Sequence, residues 1–171
     1  MRLILMRHPP VASGSGLCYG RLDLPCDSAA IDASVAALDG WRGLPVYSSP
    51  AQRCLALAGR LAAPPIVWPS LQELDFGTWE GRRWDDIARS EIDAWAADIW
   101  HYRPGGGENA AMLRSRWHEA IAGWRLAAPE AAIVVTHAGP IRMALAEAGQ
   151  LGAAERWSAP IAHARPYILE L

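Results

Sequence analysis

The sequence predicts an α/β fold: a three-layer α/β/α sandwich on a mostly parallel sheet with one antiparallel edge strand. Three observations carry this. Short, near-continuously apolar runs recur along the 171 residues, as strands covered on both faces do. Longer segments with apolar residues at helical spacing lie between them. The two kinds alternate, which is the pattern of parallel strands joined by crossover helices.

Residues 2–7 form the first strand, where the run Leu3-Ile4-Leu5-Met6 is closed by Arg7 and His8. The first helix runs from about Ser28 to Asp39, with Ile31, Val35 and Leu38 as its stripe and Gly40 as its stop. Residues 45–49 are the second strand. Ser49 suits an N-cap and Pro50 the first position of a helix over 50–62, which Pro64 and Pro65 end. Residues 65–68 are the third strand. The stretch from about 69 to 108 carries no strand signal but holds Gly77, Gly81 and Gly105-Gly106-Gly107. It reads as a helical flap inserted over the sheet edge, with a helix over 84–99 built on Trp84, Ile87, Ile92, Trp95 and Ile99. A helix over 109–127 follows, striped by Leu113, Trp117, Ile121 and Trp124, and then a strand over 131–136. Pro140 opens a helix to Ala148. Arg165 to Leu171 alternates around Pro166 and suits an edge strand. The whole reads as one domain over 1–171.

Composition narrows the function. A net charge of −2 gives no general pull toward nucleic acid or anionic lipid. Cys18, Cys26 and Cys54 lack CxxC spacing and read as reduced thiols of a cytoplasmic protein. No run approaches the roughly 18 apolar residues of a membrane span. Of the nine tryptophans, most are expected in the core or at clefts.

The chemistry sits where strands end. In a parallel sheet, the turns Ser48-Ser49-Pro50 and Thr136-His137-Ala138-Gly139 fall at the carboxyl edge, where ligands bind. Free N–H groups at helix starts favour an anion there. Arg7-His8 adds a third element to that edge, and Arg53, one turn into its helix, can point back to it. Taken singly, each is ordinary capping or a structural histidine. Together, Arg7 and Arg53 could hold a phosphate dianion with bidentate guanidinium donors. His137 adds a positive donor if protonated. Neutral His8 can attack phosphorus in line if its other ring N–H is held by a carbonyl.

In order, the chain carries an RH motif (Arg7-His8), SSPxxR (48–53), ExxxGxWEG (73–81), a proline–glycine run ending in glutamate (Pro104-Gly105-Gly106-Gly107-Glu108) and THAG (136–139). In this it resembles the histidine phosphatase superfamily, also called the phosphoglycerate mutase-like fold, over nearly its whole length. The resemblance implies that His8 becomes phosphohistidine, and that Arg7, Arg53 and His137 form the phosphate pocket with Ala138 at the helix start. It implies that Glu73 protonates the leaving oxygen and then activates water, since a carboxyl group facing a dianion in a closed cleft favours its protonated form. Arg21 matches a family position near the phosphate, and reads either as a further positive contact or as a solvated loop arginine. Glu80 and Glu108 are expected to accept hydrogen bonds from turns or caps. Two departures stand out. Pro9 takes the place of the glycine after the nucleophile, and Gly14 that of an asparagine that often touches phosphate, leaving Ser13 or Ser15 as substitutes.

The stretch from Arg7 to Pro25 looks most like the alpha-ribazole phosphatase branch, which removes the 5′-phosphate of alpha-ribazole phosphate during cobalamin nucleotide-loop assembly. Trp79, Trp84, Trp100 and Tyr102 offer faces for a benzimidazole, although core packing suits most of them better, Trp84 and Trp95 especially. A phosphoglycerate mutase is the main rival, but Leu74, Asp75 and Phe76 stand where mutases hold the substrate carboxylate. Asp75 would repel one. A broad-specificity phosphatase leaves little trace in sequence, and a phosphate-binding module on an inactive scaffold is the non-enzyme reading. The expected partner is a small phosphomonoester. No metal or cofactor is called for, because guanidiniums and helix starts supply the positive charge. Chelators are expected to leave activity unchanged and vanadate to inhibit. His101, His118 and His163 read as surface or helix-packing residues.

Overall fold

The computed structural model describes residues 1–152 and 157–171. Its five strands are β1 (Arg2–Arg7), β2 (Val46–Ser48), β3 (Ile66–Val67), β4 (Ala131–Thr136) and β5 (Pro166–Glu170), in the order β3-β2-β4-β1-β5. The first four run parallel, and β5 pairs antiparallel to β1. Pro166, lacking an N–H, is tolerated because β5 is an edge. The expected three-layer architecture is therefore observed.

The helices are α1 (Ser28–Ala36), α2 (Gln52–Leu61), α3 (Arg89–Ala97), α4 (Ala110–Ala127) and α5 (Ala138–Glu147). Side chains alternate across β1, so its apolar run serves both layers. Ile4 and Met6 pack with Leu38, Cys54, Leu57 and Val135 beneath α1 and α2. Leu3 and Leu5 pack with Leu113, Trp117, Trp124 and Ile141 of α4 and α5. All four β1 residues are fully buried, each contributing roughly 1.5–3 kcal/mol of transfer free energy. The register sets Arg7 beside Thr136, and Ser48 beside Val135, so three strand ends meet at one carboxyl edge.

Several elements depart from the sequence expectation for local reasons. β3 is only two residues long, and Ile66 and Val67 are exposed at the sheet edge, not covered on both faces. α1 stops before Gly40, and Asp39–Trp41 forms a separate 3-10 turn. The helix expected over 84–99 is broken into a 3-10 turn (Trp84–Asp86) and α3. Ile87 and Ala88 between them are extended, and Ile87 drops into a small core with Cys18 and Trp79. The flap lies over the carboxyl ends of the strands, where Phe76 and Trp84 wall a cavity that β1 and α2 also line. Among the described residues, no helix is long and apolar enough to cross a membrane.

Candidate active site

β1 delivers Arg7 and His8 to the carboxyl edge, α2 delivers Arg53, and the end of β4 delivers His137 as the N-cap residue of α5. Arg7, His8, Arg53, Glu73 and Ala138 line a pit of about 290 Å³, together with Tyr19, Phe76 and Trp84. The rings of His8 and His137 are 5.2 Å apart between centroids. Arg53 is fully buried, and its Nη2 lies 3.2 Å from His137 Nδ1. Its guanidinium is oriented by the carbonyls of Leu22 (2.9 Å) and Gly20 (2.5 Å). Arg7 is anchored through Nη1 to the Ile161 carbonyl at 2.7 Å.

The imidazoles have defined protonation. His8 Nδ1 lies 2.7 Å from the Pro9 carbonyl, a contact only an N–H can make, so Nε2 carries the free lone pair. Proline at position 9 keeps the carbonyl this requires. Burial, opposed by that carbonyl and reinforced by the charges of Arg53 and Arg7, pushes His8 down to about 3. Guanidinium only donates, so His137 Nδ1 accepts from Arg53 and its Nε2–H faces Ser49 Oγ at 2.8 Å. Burial, then competition with the adjacent His8 ring for a proton and the charges of Arg53 and Arg7, hold His137 well below its ordinary value. It is thus neutral in this state and accepts at Nδ1, so the condition set for a positive donor, protonation, is not met here.

Glu73 reaches the pit from an irregular segment. Its carboxylate accepts from Gly139 N (3.1 Å to each oxygen) at the start of α5, and from its own neighbour Leu74 N at 2.9 Å. The helix start thus holds a carboxylate beside the anion pit. Ser49, expected as the α2 N-cap, is drawn to His137 instead. α2 starts later, at Gln52, whose N–H is capped by the Asp23 carboxylate at 2.9 Å. α5 begins at Ala138, before Pro140, whose missing N–H falls among the first-turn groups that lack a helical acceptor.

Other expectations are corrected by side-chain direction. Arg21 does not line the pit. It donates to the Glu73 carbonyl, Gln72 Oε1 and Glu108 Oε1. Ser13 and Ser15 are exposed and not part of the pit lining. Trp79 is fully buried, and Trp84 and Trp95 stack at 6.2 Å against its cluster, as core packing predicts, while also lining the cavities. Glu80 meets its expectation, accepting from the N–H groups of Gly20, Arg21, Leu22 and Phe76. His163, read as a surface or helix-packing residue, donates from Nδ1 to the His8 carbonyl at 2.6 Å, its ring 5.6 Å from that of His8.

Arg142 was not foreseen. It lines the pit and also an apolar cavity of about 430 Å³ that shares Glu73 and Phe76 with it. Its Nε donates to the Ala159 carbonyl at 2.8 Å. A signal existed, since Arg142 stands four residues after Ala138 and so on the same face of α5. His163 offered none, because an irregular loop carries it. Among the described residues, no group of three His, Cys, Asp or Glu could hold a metal ion.

Comparison with known proteins agrees with this geometry. Residues 3–171 match the family described as histidine phosphatase superfamily (branch 1). The chain is 28% identical to the adenosylcobalamin/alpha-ribazole phosphatase of Salmonella typhimurium, covering 92% of this chain and 84% of that one. It is 26% identical to a metal-independent phosphoserine phosphatase of Arabidopsis thaliana, over 95% of this chain and 76% of that one. Its fold matches the crystal structure of the alpha-ribazole phosphatase from Shigella flexneri with a TM-score of 0.85, at 23% identity, covering 100% and 91% of the two chains. With two arginines gathered around a neutral histidine at one sheet edge, the chain belongs to the histidine phosphatase superfamily, as a phosphatase.

Proposed function

We propose that the protein hydrolyses phosphomonoesters through a phosphohistidine on His8, with alpha-ribazole 5′-phosphate as its substrate. The observation that carries the reaction is the His8 tautomer. The Pro9 carbonyl takes Nδ1–H, so Nε2 is the nucleophile, buried beside Arg53. Arg7 and Arg53 hold the phosphate oxygens and offset their charge in the transition state. The dianion raises the proton affinity of His137, which becomes a third donor only on protonation. Glu73 gives its proton to the ester oxygen as the His8–phosphorus bond forms and the phosphorus–oxygen bond breaks. Its carboxylate then takes a proton from water, which attacks phosphorus and restores His8.

The substrate assignment rests on the apolar cavity and on one relative's name. Trp95, Ile92, Ile99 and Leu113 line a space of about 430 Å³ on the Glu73 side of the pit, where the leaving group departs. A flat apolar base fits such walls. A broad-specificity phosphatase is the second reading, favoured by Arg142, which could meet a carboxylate such as that of phosphoserine.

Turnover of alpha-ribazole 5′-phosphate, O-phosphoserine, 3-phosphoglycerate and p-nitrophenyl phosphate, measured side by side, tests this. The first should exceed the others in kcat/KM by about tenfold or more. Comparable values on all four would refute the dedicated assignment. An acid-labile, base-stable 32P adduct, absent in His8→Ala, is expected whichever substrate leads. Its absence, with no turnover, would leave only a phosphate-binding module.

A further inference from the structure

The segment carrying Glu73 has neither helix nor sheet ladder to fix it. It runs irregularly between the 3-10 turns Pro69–Leu71 and Gly77–Trp79. Its carbonyls must therefore find donors outside a regular ladder, and for Ser70, Gln72 and Glu73 two arginines distant in sequence supply them. Arg21 donates from Nε to the Glu73 carbonyl (3.1 Å) and from Nη1 to Gln72 Oε1 (2.8 Å). Arg116, on α4, donates from Nη2 to the same Glu73 carbonyl (3.3 Å). Its Nη1 reaches the carbonyls of Ser70 (2.9 Å) and Gln72 (3.1 Å).

One carboxylate clamps both guanidiniums. Glu108 accepts from Arg21 Nη2 at 3.1 Å, and from Arg116 Nε and Nη2 at 2.8 and 2.7 Å. Glu108 is 9% exposed and also accepts from Asp75 N at 3.2 Å. Burial alone would raise its proton affinity. The bonds and charge of Arg116, then the charge of Arg21, outweigh that and hold the carboxyl below its ordinary value.

A largely buried Arg–Glu–Arg triad is a poor way to gain stability, since desolvation offsets much of its attraction and apolar residues of similar volume often do better. Apolar packing, however, has no directional hold on a carbonyl. All three members converge on the main chain around Glu73, and none lines the pit with His8. We propose that Arg21, Arg116 and Glu108 are positioning residues for the general acid, fixing where the Glu73 carboxyl stands against the ester oxygen. This rests on the reading of Glu73 as proton donor. An alkoxide leaving group needs that proton as its bond to phosphorus breaks, while p-nitrophenolate leaves as a stable anion without it.

The test is leaving-group dependence in Arg116→Met and Glu108→Gln, using p-nitrophenyl phosphate, phenyl phosphate and 2-phenylethyl phosphate. General acid catalysis is worth about 10²-fold or more. The kcat/KM of the alkyl ester, which reports formation of phosphohistidine and not its hydrolysis, should fall by about that factor, and that of p-nitrophenyl phosphate by less than about threefold. Inhibition by inorganic phosphate should stay as in the parent, reporting an intact pit. Equal losses of kcat/KM on all three esters would make the triad merely structural and overturn the proposal, as would no loss on any. Should Arg116→Met fail to fold, Glu108→Gln, which keeps the side-chain volume, carries the test. Glu73→Gln in the same panel separates the two readings. If it lacks leaving-group dependence, the assignment of Glu73 itself fails. If it has such dependence and the triad variants do not, only the positioning role does.

Discussion

At Gly139 a single methyl group decides whether the Glu73 carboxylate can stand where it does. A Cβ there would lie 2.1 Å from Glu73 Oε1, far inside contact distance. The residue is the second of α5, where alanine is otherwise the better helix former by about 1 kcal/mol. Gly139→Ala should therefore keep or raise the melting temperature while turnover of alkyl phosphates falls by about 10²-fold. Melting curves and steady-state kinetics on one preparation check both. Parental turnover would mean that the carboxylate is not needed at that spot. At this scale, His8, Arg7, Arg53 and His137 were legible because short motifs place each at a strand or helix end, and backbone direction does the rest. Arg21 was not. Its guanidinium could reach either the phosphate or the Glu73 segment, and only the path of the Gly20–Asp23 loop selects the second.

The helix starts do two jobs, and the second changes the first. Ser49 sits where an N-cap is expected, yet its hydroxyl goes to His137, and Asp23 from a distant loop caps α2 instead. That cap also lies 3.8 Å from Arg53, tying the loop to the site. Asp23→Ala should cost about 1 kcal/mol of stability, the ordinary value of a lost cap, read as a lower urea midpoint at unchanged slope. An unchanged midpoint would mean that water caps α2 equally well. The strands were legible from their apolar runs, as was α4, where the Asn109 side chain caps Met112 N and the run ends at left-handed Ala128. α3 was overextended because Ile87 fits a helical stripe, while its burial with Cys18 and Trp79 demands an extended turn.

For the molecule as a whole, the site carries a stability cost that depends on pH. His8 is pushed down to about 3 from an ordinary value of 6.5, and burial lowers His137 and His163 too. Between those values, the unfolded chain binds more protons than the folded one. Stability is therefore full above about pH 6.5 and is lost as pH falls toward 3. At pH 5 His8 alone should account for roughly 2 kcal/mol, or about 5 °C in melting temperature. Thermal melts from pH 7.5 to 5 should fall less steeply for His8→Gln than for the parent, and parallel curves would contradict the assignment. The sequence by itself determined the α/β layering, the strands and the neighbourhood of His8, because apolar period and strand-end motifs are local properties. Only the tertiary structure decided that Arg142 and Trp84 face the cavities, that Trp79 is buried, and that Arg21 supports Glu73. Those choices depend on which side chains meet across loops far apart in the chain, and a partner brought by folding leaves no mark on local spacing.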